Sequence, residues 1–206
     1  MELPGFGLVP AHWDLRGRFD DYVGGVEVAG KSVLDVGAAT GFLSFEAEKR
    51  AASRVVSFDM SDASQQAFLP FKDKLYYRDP DRWAQQYGAE IEQWKNAYWL
   101  CHRLLGSKAQ VYYGSVYDLP KELGQFDIAI VGSVLEHLSD QISALASIAK
   151  RTRRLSSSFH RCCRLMNASP DLNHWQVILT PTSPGGHIRL VFIARCLACL
   201  VLGSQR

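Results

Sequence analysis

The chain has 206 residues, which fits one α/β domain with a substantial buried core and is short for two. Its net charge of +2 is uneven: residues 1–154 carry a slight acidic excess, whereas 155–206 hold five arginines and the single acid Asp171. No basic face that would grip nucleic acid through phosphates is legible, the N-terminus MELPGFGLVP lacks a secretory pattern, and the most apolar tract, 188–202, is too short and too charged to span a bilayer.

Taken in chain order, residues 1–30 read as an N-terminal arm, 31–154 as an α/β core and 155–206 as a divergent segment, all within one domain. In the arm, Arg16 and Arg18 stand near His12 and Trp13. Solvated arginines are the plainer reading, and folding over a ligand carboxylate is the alternative. Asp20-Asp21 predicts the start of a short helix. Ser32 to Val36 predicts a first strand and Gly41 to Ala51 a helix with an i, i+4 Glu46/Arg50 pair. Arg54 to Phe58 is a second strand, Gln110 to Tyr113 a third, and Phe126 to Val131, apolar almost throughout, a fourth that both faces of the protein cover. Gln141 to Lys150 predicts a further helix.

The excursion 61–109 exceeds a simple crossover. Trp83, Tyr87, Ile91, Trp94 and Tyr98 recur at helical spacing, with Gly106 as a C-terminal stop. Docking of this stripe on the sheet is favoured over an aromatic wall facing a ligand. After Arg154 only a weak fifth strand is legible, and apolar segments return at 177–179 and 188–202. The fold class expected is therefore a Rossmann-like, doubly wound, mostly parallel α/β sheet, with a helical insertion after strand 2 and an atypical, incomplete C-terminal part.

The five cysteines are Cys101, Cys162, Cys163, Cys196 and Cys199. The CxxC at 196–199 has no second pair at finger spacing, so free thiols, no metal and a reducing cytoplasm are expected.

Chemistry concentrates where the first strand ends. Asp35-Val36-Gly37 turns through Ala38-Ala39-Thr40 to Gly41 and into a helix, across the carboxyl end of the sheet. Gly37 permits the tight turn, Gly41 permits close approach of backbone to a ligand, and the small Ala38 and Ala39 keep the loop open. Asp59, at the tip of the second strand, is placed to accept hydrogen bonds from adjacent ribose hydroxyls, or alternatively to be a solvated strand-end acid. Asp35 has its own alternative, hydrogen bonding to loop amides. The spacing is D-x-G-x-x-x-G, not the G-x-G-x-x-G of a nicotinamide fingerprint, because Ala39 stands where the pyrophosphate needs bare backbone.

With its flanks, VLDVGAATG (33–41) resembles motif I of the class I S-adenosylmethionine-dependent methyltransferases. SFDM (57–60), GSVYDLP (114–120) and FDIAIVGSVLEHLSD (126–140) follow in that family's order. The stretch 13–37 and DLNHWQ (171–176) are similar to the branch of tRNA wobble-uridine modifying methyltransferases. The resemblance implies S-adenosyl-L-methionine as cofactor. Gly37, Ala38 and Gly41 would lie under its methionine part, Asp35 near its amino group, Asp59 on the ribose and Met60 beside the adenine. Ser115 and Val116 would meet the adenine edge, although many members have Asp where Ser115 stands. Gly132 and Ser133 would line the methyl-transfer site.

The reaction so implied is in-line methyl transfer to an unidentified acceptor, with a small molecule favoured and tRNA the other candidate. His137, just past the fourth strand, is the candidate general base or else a packing and capping residue, and Glu136 is its rival. An NAD-dependent oxidoreductase and a catalytically inactive cofactor-binding protein are the alternative functions.

Overall fold

The computed structural model describes residues 1–10, 14–65, 74–160, 174–181 and 188–194. A seven-stranded sheet runs through it. Its strands are β3 (Ser32–Val36), β4 (Arg54–Asp59), β5 (Gln110–Tyr113), β6 (Phe126–Gly132), β7 (Thr152–His160), β8 (His174–Pro181) and β9 (Ile188–Ala194), in the order β5-β4-β3-β6-β7-β8-β9. The first five in that order are mutually parallel, and β8 and β9 pair antiparallel beyond them. A separate two-stranded sheet, β1 (Glu2–Leu3) with β2 (Gly7–Leu8), opens the chain.

Alternation along the central strands explains why helices cover both faces. Val33 and Val55 point to the side packed by α1 (Phe19–Val23) and α2 (Phe42–Lys49), in a cluster with Phe19, Tyr22 and Leu43. Leu34, Val36, Val56 and Phe58 point the other way, against Leu119, Leu123, Leu135 and the Ala144 and Ile148 side of α5 (Gln141–Ala149). This is the burial that parallel strands require. A third cluster joins Leu3 of β1, Ala38, Phe45, and Tyr98 and Cys101 of α4 (Pro80–Leu104), so the N-terminal hairpin packs beside the turn after β3.

The insertion is mainly α4, preceded by the short α3 (Leu75–Arg78). Pro80 opens α4, the Asp79 carboxylate accepts from the Arg82 N–H, and Gly106 ends it at φ 62°. Its aromatic stripe divides. Ile91 and Tyr98 are buried, whereas Trp83, Tyr87 and Trp94 are half-buried and form a ladder of ring contacts from Trp83 to Trp94. Among the described residues no helix is long and apolar enough to cross a membrane.

The weak fifth strand expected after Arg154 is instead the nine-residue β7, because its backbone is paired on both sides, with β6 and with β8. Strand pairing overrides the low propensity of its serine run. Beyond it the parallel order stops: β8 and β9 continue the sheet as a meander. Cys162, Cys163, Cys196 and Cys199 lie outside the described residues, as do His12, Trp13 and the start of DLNHWQ, and Cys101 is a buried free thiol.

The loop after β5 is pinned to α5 by one buried bond, from the Leu119 N–H to the Ser147 hydroxyl at 3.0 Å. Ser147→Ala leaves that N–H without an acceptor, and urea unfolding should show a loss of roughly 1–2 kcal/mol.

Candidate functional site

The strand order reverses at β3, whose neighbours β4 and β6 are reached in opposite directions, so the carboxyl end of β3 is the switch point at which open α/β sheets bind ligands. The turn 37–41 lies there. Gly37 and Ala38 both donate their N–H to the Phe58 carbonyl, at 2.8 and 3.4 Å, and the Ala39 N–H reaches Asp59 Oδ2 at 2.7 Å. Asp59 Oδ1 accepts from the Met60 N–H at 2.8 Å. Ala39 holds φ 47°, a left-handed conformation unusual for alanine, and Ser133 at the end of β6 holds φ 51°. Backbone strain of this kind costs about 1–3 kcal/mol per residue and gathers where geometry serves function.

Turn and carboxylate share one narrow recess of about 10 Å³, room for about one water molecule. Ala38, Ala39, Asp59 and Met60 form one side. Ile91, Trp94, Lys95 and Tyr98 of α4 form another, with Val111 and Tyr113 of β5 below. Burial pushes the Asp59 carboxyl above the ordinary carboxylate range, against the pull of the Ala39 and Met60 N–H groups and of the Lys95 charge. Burial, together with the Asp59 charge, pushes the Tyr87 hydroxyl up to about 12.

Close packing requires both glycines. A Cβ on Gly37 would sit 2.1 Å from Val134 Cγ2, and one on Gly41 2.5 to 2.7 Å from the rings of Phe45 and Tyr98. Asp35 is turned inward. It is fully buried, its Oδ2 accepts from the Ser44 hydroxyl at 2.6 Å, and its Oδ1 has no partner. Ser44 continues to Ser57 at 2.6 Å, and Ser57 to the Tyr98 hydroxyl at 2.7 Å, giving a polar chain from beneath the turn to the recess wall.

Desolvation raises Asp35 to about 7, with the Asp59 charge adding to it and the Ser44 hydroxyl opposing. A carboxyl raised in the folded state holds its proton there while the unfolded chain has lost it, so stability falls as pH rises from about 4 to about 7. Asp35→Asn removes this dependence. Measured by urea unfolding at pH 5 and pH 8, the variant should gain roughly 2–3 kcal/mol on the wild type over that interval.

The other sequence candidates do not line the recess. Ser115 and Val116 follow β5, where the Gly114 N–H bonds to the Asp59 carbonyl at 2.8 Å; the Ser115 hydroxyl accepts from the Tyr117 N–H at 3.3 Å and Val116 packs on the core. At Gly132 a Cβ would meet the Tyr22 hydroxyl at 2.9 Å, and that hydroxyl lies 3.3 Å from Ser133 Oγ. His137 ends a one-turn 3-10 helix, Leu135–His137, and is exposed. Glu136 shares that turn, with its side chain outside the described parts. Arg16 is an exposed partner of Asp14 at 2.6 Å.

Sequence reasoning missed Ser44, Ser57 and Lys95. Ser57 interrupts the apolar run VVSF, a signal that could have been read as a buried polar position. Lys95 reads only as an i, i+3 partner of Glu92.

No family model matches the chain, and no curated protein does. Solved structures similar to it include an S-adenosylmethionine-dependent methyltransferase from Mesorhizobium loti (16% identity, TM-score 0.44, 72% of this chain and 56% of that one). A SAM-dependent methyltransferase from Aquifex aeolicus (16%, TM-score 0.46, 77% and 69%) and the [4+2]-cyclase SpnF (15%, TM-score 0.47, 70% and 43%) are others. The chain spans about half the length of the first of these structures.

Proposed function

We propose that the chain is an S-adenosylmethionine-dependent methyltransferase whose cofactor lies across the turn 37–41, with its ribose on Asp59. The observation that carries this reading is the Ala39 N–H bond to Asp59 Oδ2, which fixes a ribose-type acceptor beside a glycine turn at the switch point of the sheet. The turn sequence disfavours a dinucleotide, because Ala39 stands at the position where the nicotinamide fingerprint has glycine.

The residues present suit the group. Asp59 keeps lone pairs beyond its two N–H bonds for vicinal hydroxyls. Met60, which lines the recess, offers an apolar contact to a purine. S-adenosylmethionine, when bound, supplies a methyl on a sulfonium whose leaving group departs neutral. The chain is then left to orient the acceptor and to keep water out, which Ile91, Trp94 and Tyr98 do on the α4 side. If the acceptor arrives protonated, His137 is the base we assign, acting from the loop after β6. A small-molecule acceptor in the cytoplasm suits the acidic excess of residues 1–154 better than tRNA does.

Calorimetric titration with S-adenosylhomocysteine, paired with a search for methyl transfer from labelled cofactor, tests the proposal. Saturable one-site binding with label appearing in an acceptor is the expected result. A nicotinamide dinucleotide binding in its stead would replace this reading with an oxidoreductase.

A further inference from the structure

We infer that Lys95 of α4 is a ligand-binding and selectivity-determining residue of the recess, donating a hydrogen bond to an acceptor atom on the nucleoside that Asp59 holds. The inference rests on the adenosyl reading above and names a partner that the sequence motifs do not contain.

Lysines are seldom buried, because the ammonium keeps its hydration unless partners replace it. Lys95 has only 20% of its side chain exposed and is fixed on three sides. Its Nζ donates to the Ser61 carbonyl at 2.7 Å and to Glu92 Oε1 at 3.0 Å, and it sits 5.0 Å from the centre of the Tyr113 ring. An ammonium has three N–H donors, and among the described residues Nζ has these two acceptors, which leaves one. Lys95 also lines the recess, and its charge acts on Asp59.

The backbone places this donor where a base would lie. Asp59 and Tyr113 are register partners at the ends of β4 and β5, and Ser61 is two residues beyond Asp59. A nucleoside whose ribose rests on Asp59 extends its base over these strand ends, past Met60. There it meets an anchored cation with a free proton. Asp59 accepts from the sugar hydroxyls, and Lys95 donates to a ring nitrogen of the base. Together they read the donor and acceptor faces of one ligand, and the rigid hold on Nζ means little side-chain entropy is lost on binding.

A purely structural lysine would tie α4 to the loop after β4 without touching ligand. A lysine that merely blocked the recess would compete with the ligand. The three roles differ in the sign of their effect, so S-adenosylhomocysteine should be titrated into wild type, Lys95→Met and Lys95→Arg, with thermal unfolding as the check on folding. We expect an affinity loss of about tenfold in K95M, partial recovery in K95R, and a matching loss when wild type is given a ring-deaza adenosyl analogue that K95M no longer distinguishes from the parent. Unchanged affinity in K95M overturns the inference in favour of a structural lysine, and tighter binding overturns it in favour of a blocking one. In both cases the adenosyl reading survives, because wild type still binds; absence of binding by wild type overturns the two together.

Discussion

Asp59→Ala is expected to weaken S-adenosylhomocysteine binding roughly 30- to 150-fold, about 2–3 kcal/mol, in calorimetric titration. The effect has two sources. The variant loses a charged acceptor for the ribose, and it also releases the Ala39 N–H, which now ends on Asp59 Oδ2 at 2.7 Å. Ala39 is held at φ 47° against its own preference, so the turn loosens once that bond is gone. Asp59→Asn separates the sources: its amide oxygen still accepts from Ala39 but carries no charge, and it should recover part of the loss. Wild-type affinity in Asp59→Ala would remove this carboxylate from the site.

Gly37→Ala is expected to destabilise the protein by about 3 kcal/mol or more, read as a fall in urea midpoint at unchanged slope. Gly37 has φ 77°, which costs alanine about 1–2 kcal/mol, and the added Cβ would lie 2.1 Å from Val134 Cγ2. Val134 is β-branched and attached to the backbone directly after Ser133, so it cannot swing aside cheaply. The second change Val134→Ala opens the space but leaves the φ penalty, and the double variant should regain about half of the loss. Full recovery would show that backbone conformation at residue 37 contributes nothing.

The core strands were legible because each is a short apolar run bounded by charge or glycine. Ser32–Val36 and Gln110–Tyr113 match the sequence reading, and Arg54–Asp59 and Phe126–Gly132 each run one residue further. That Asp59 meets the turn was legible from its spacing, since a strand, a helix and a return strand bring residues 37 and 59 to the same edge of the sheet. What the spacing concealed was direction. Asp35 alternates with Leu34 and Val36, so it shares the face of Val33 and is carried under α2 to Ser44 instead of outward. Around Gly41 the near neighbours in sequence are small, and the rings that a side chain there would meet come from Phe45, one helical turn on, and from Tyr98, 57 residues away.

The fifth parallel strand was legible only weakly for another reason: β7 is held by its pairing with β6 and β8, and its serines carry little propensity of their own. Lys95 escaped because only the fold brings Ser61, Tyr113 and Asp59 around it.

A crystal structure of the protein grown with saturating S-adenosylhomocysteine tests the account most directly. It should show the ribose hydroxyls on the Asp59 carboxylate and the amino-acid end over residues 37–41. A ligand bound elsewhere, or no ligand bound at all, would contradict it.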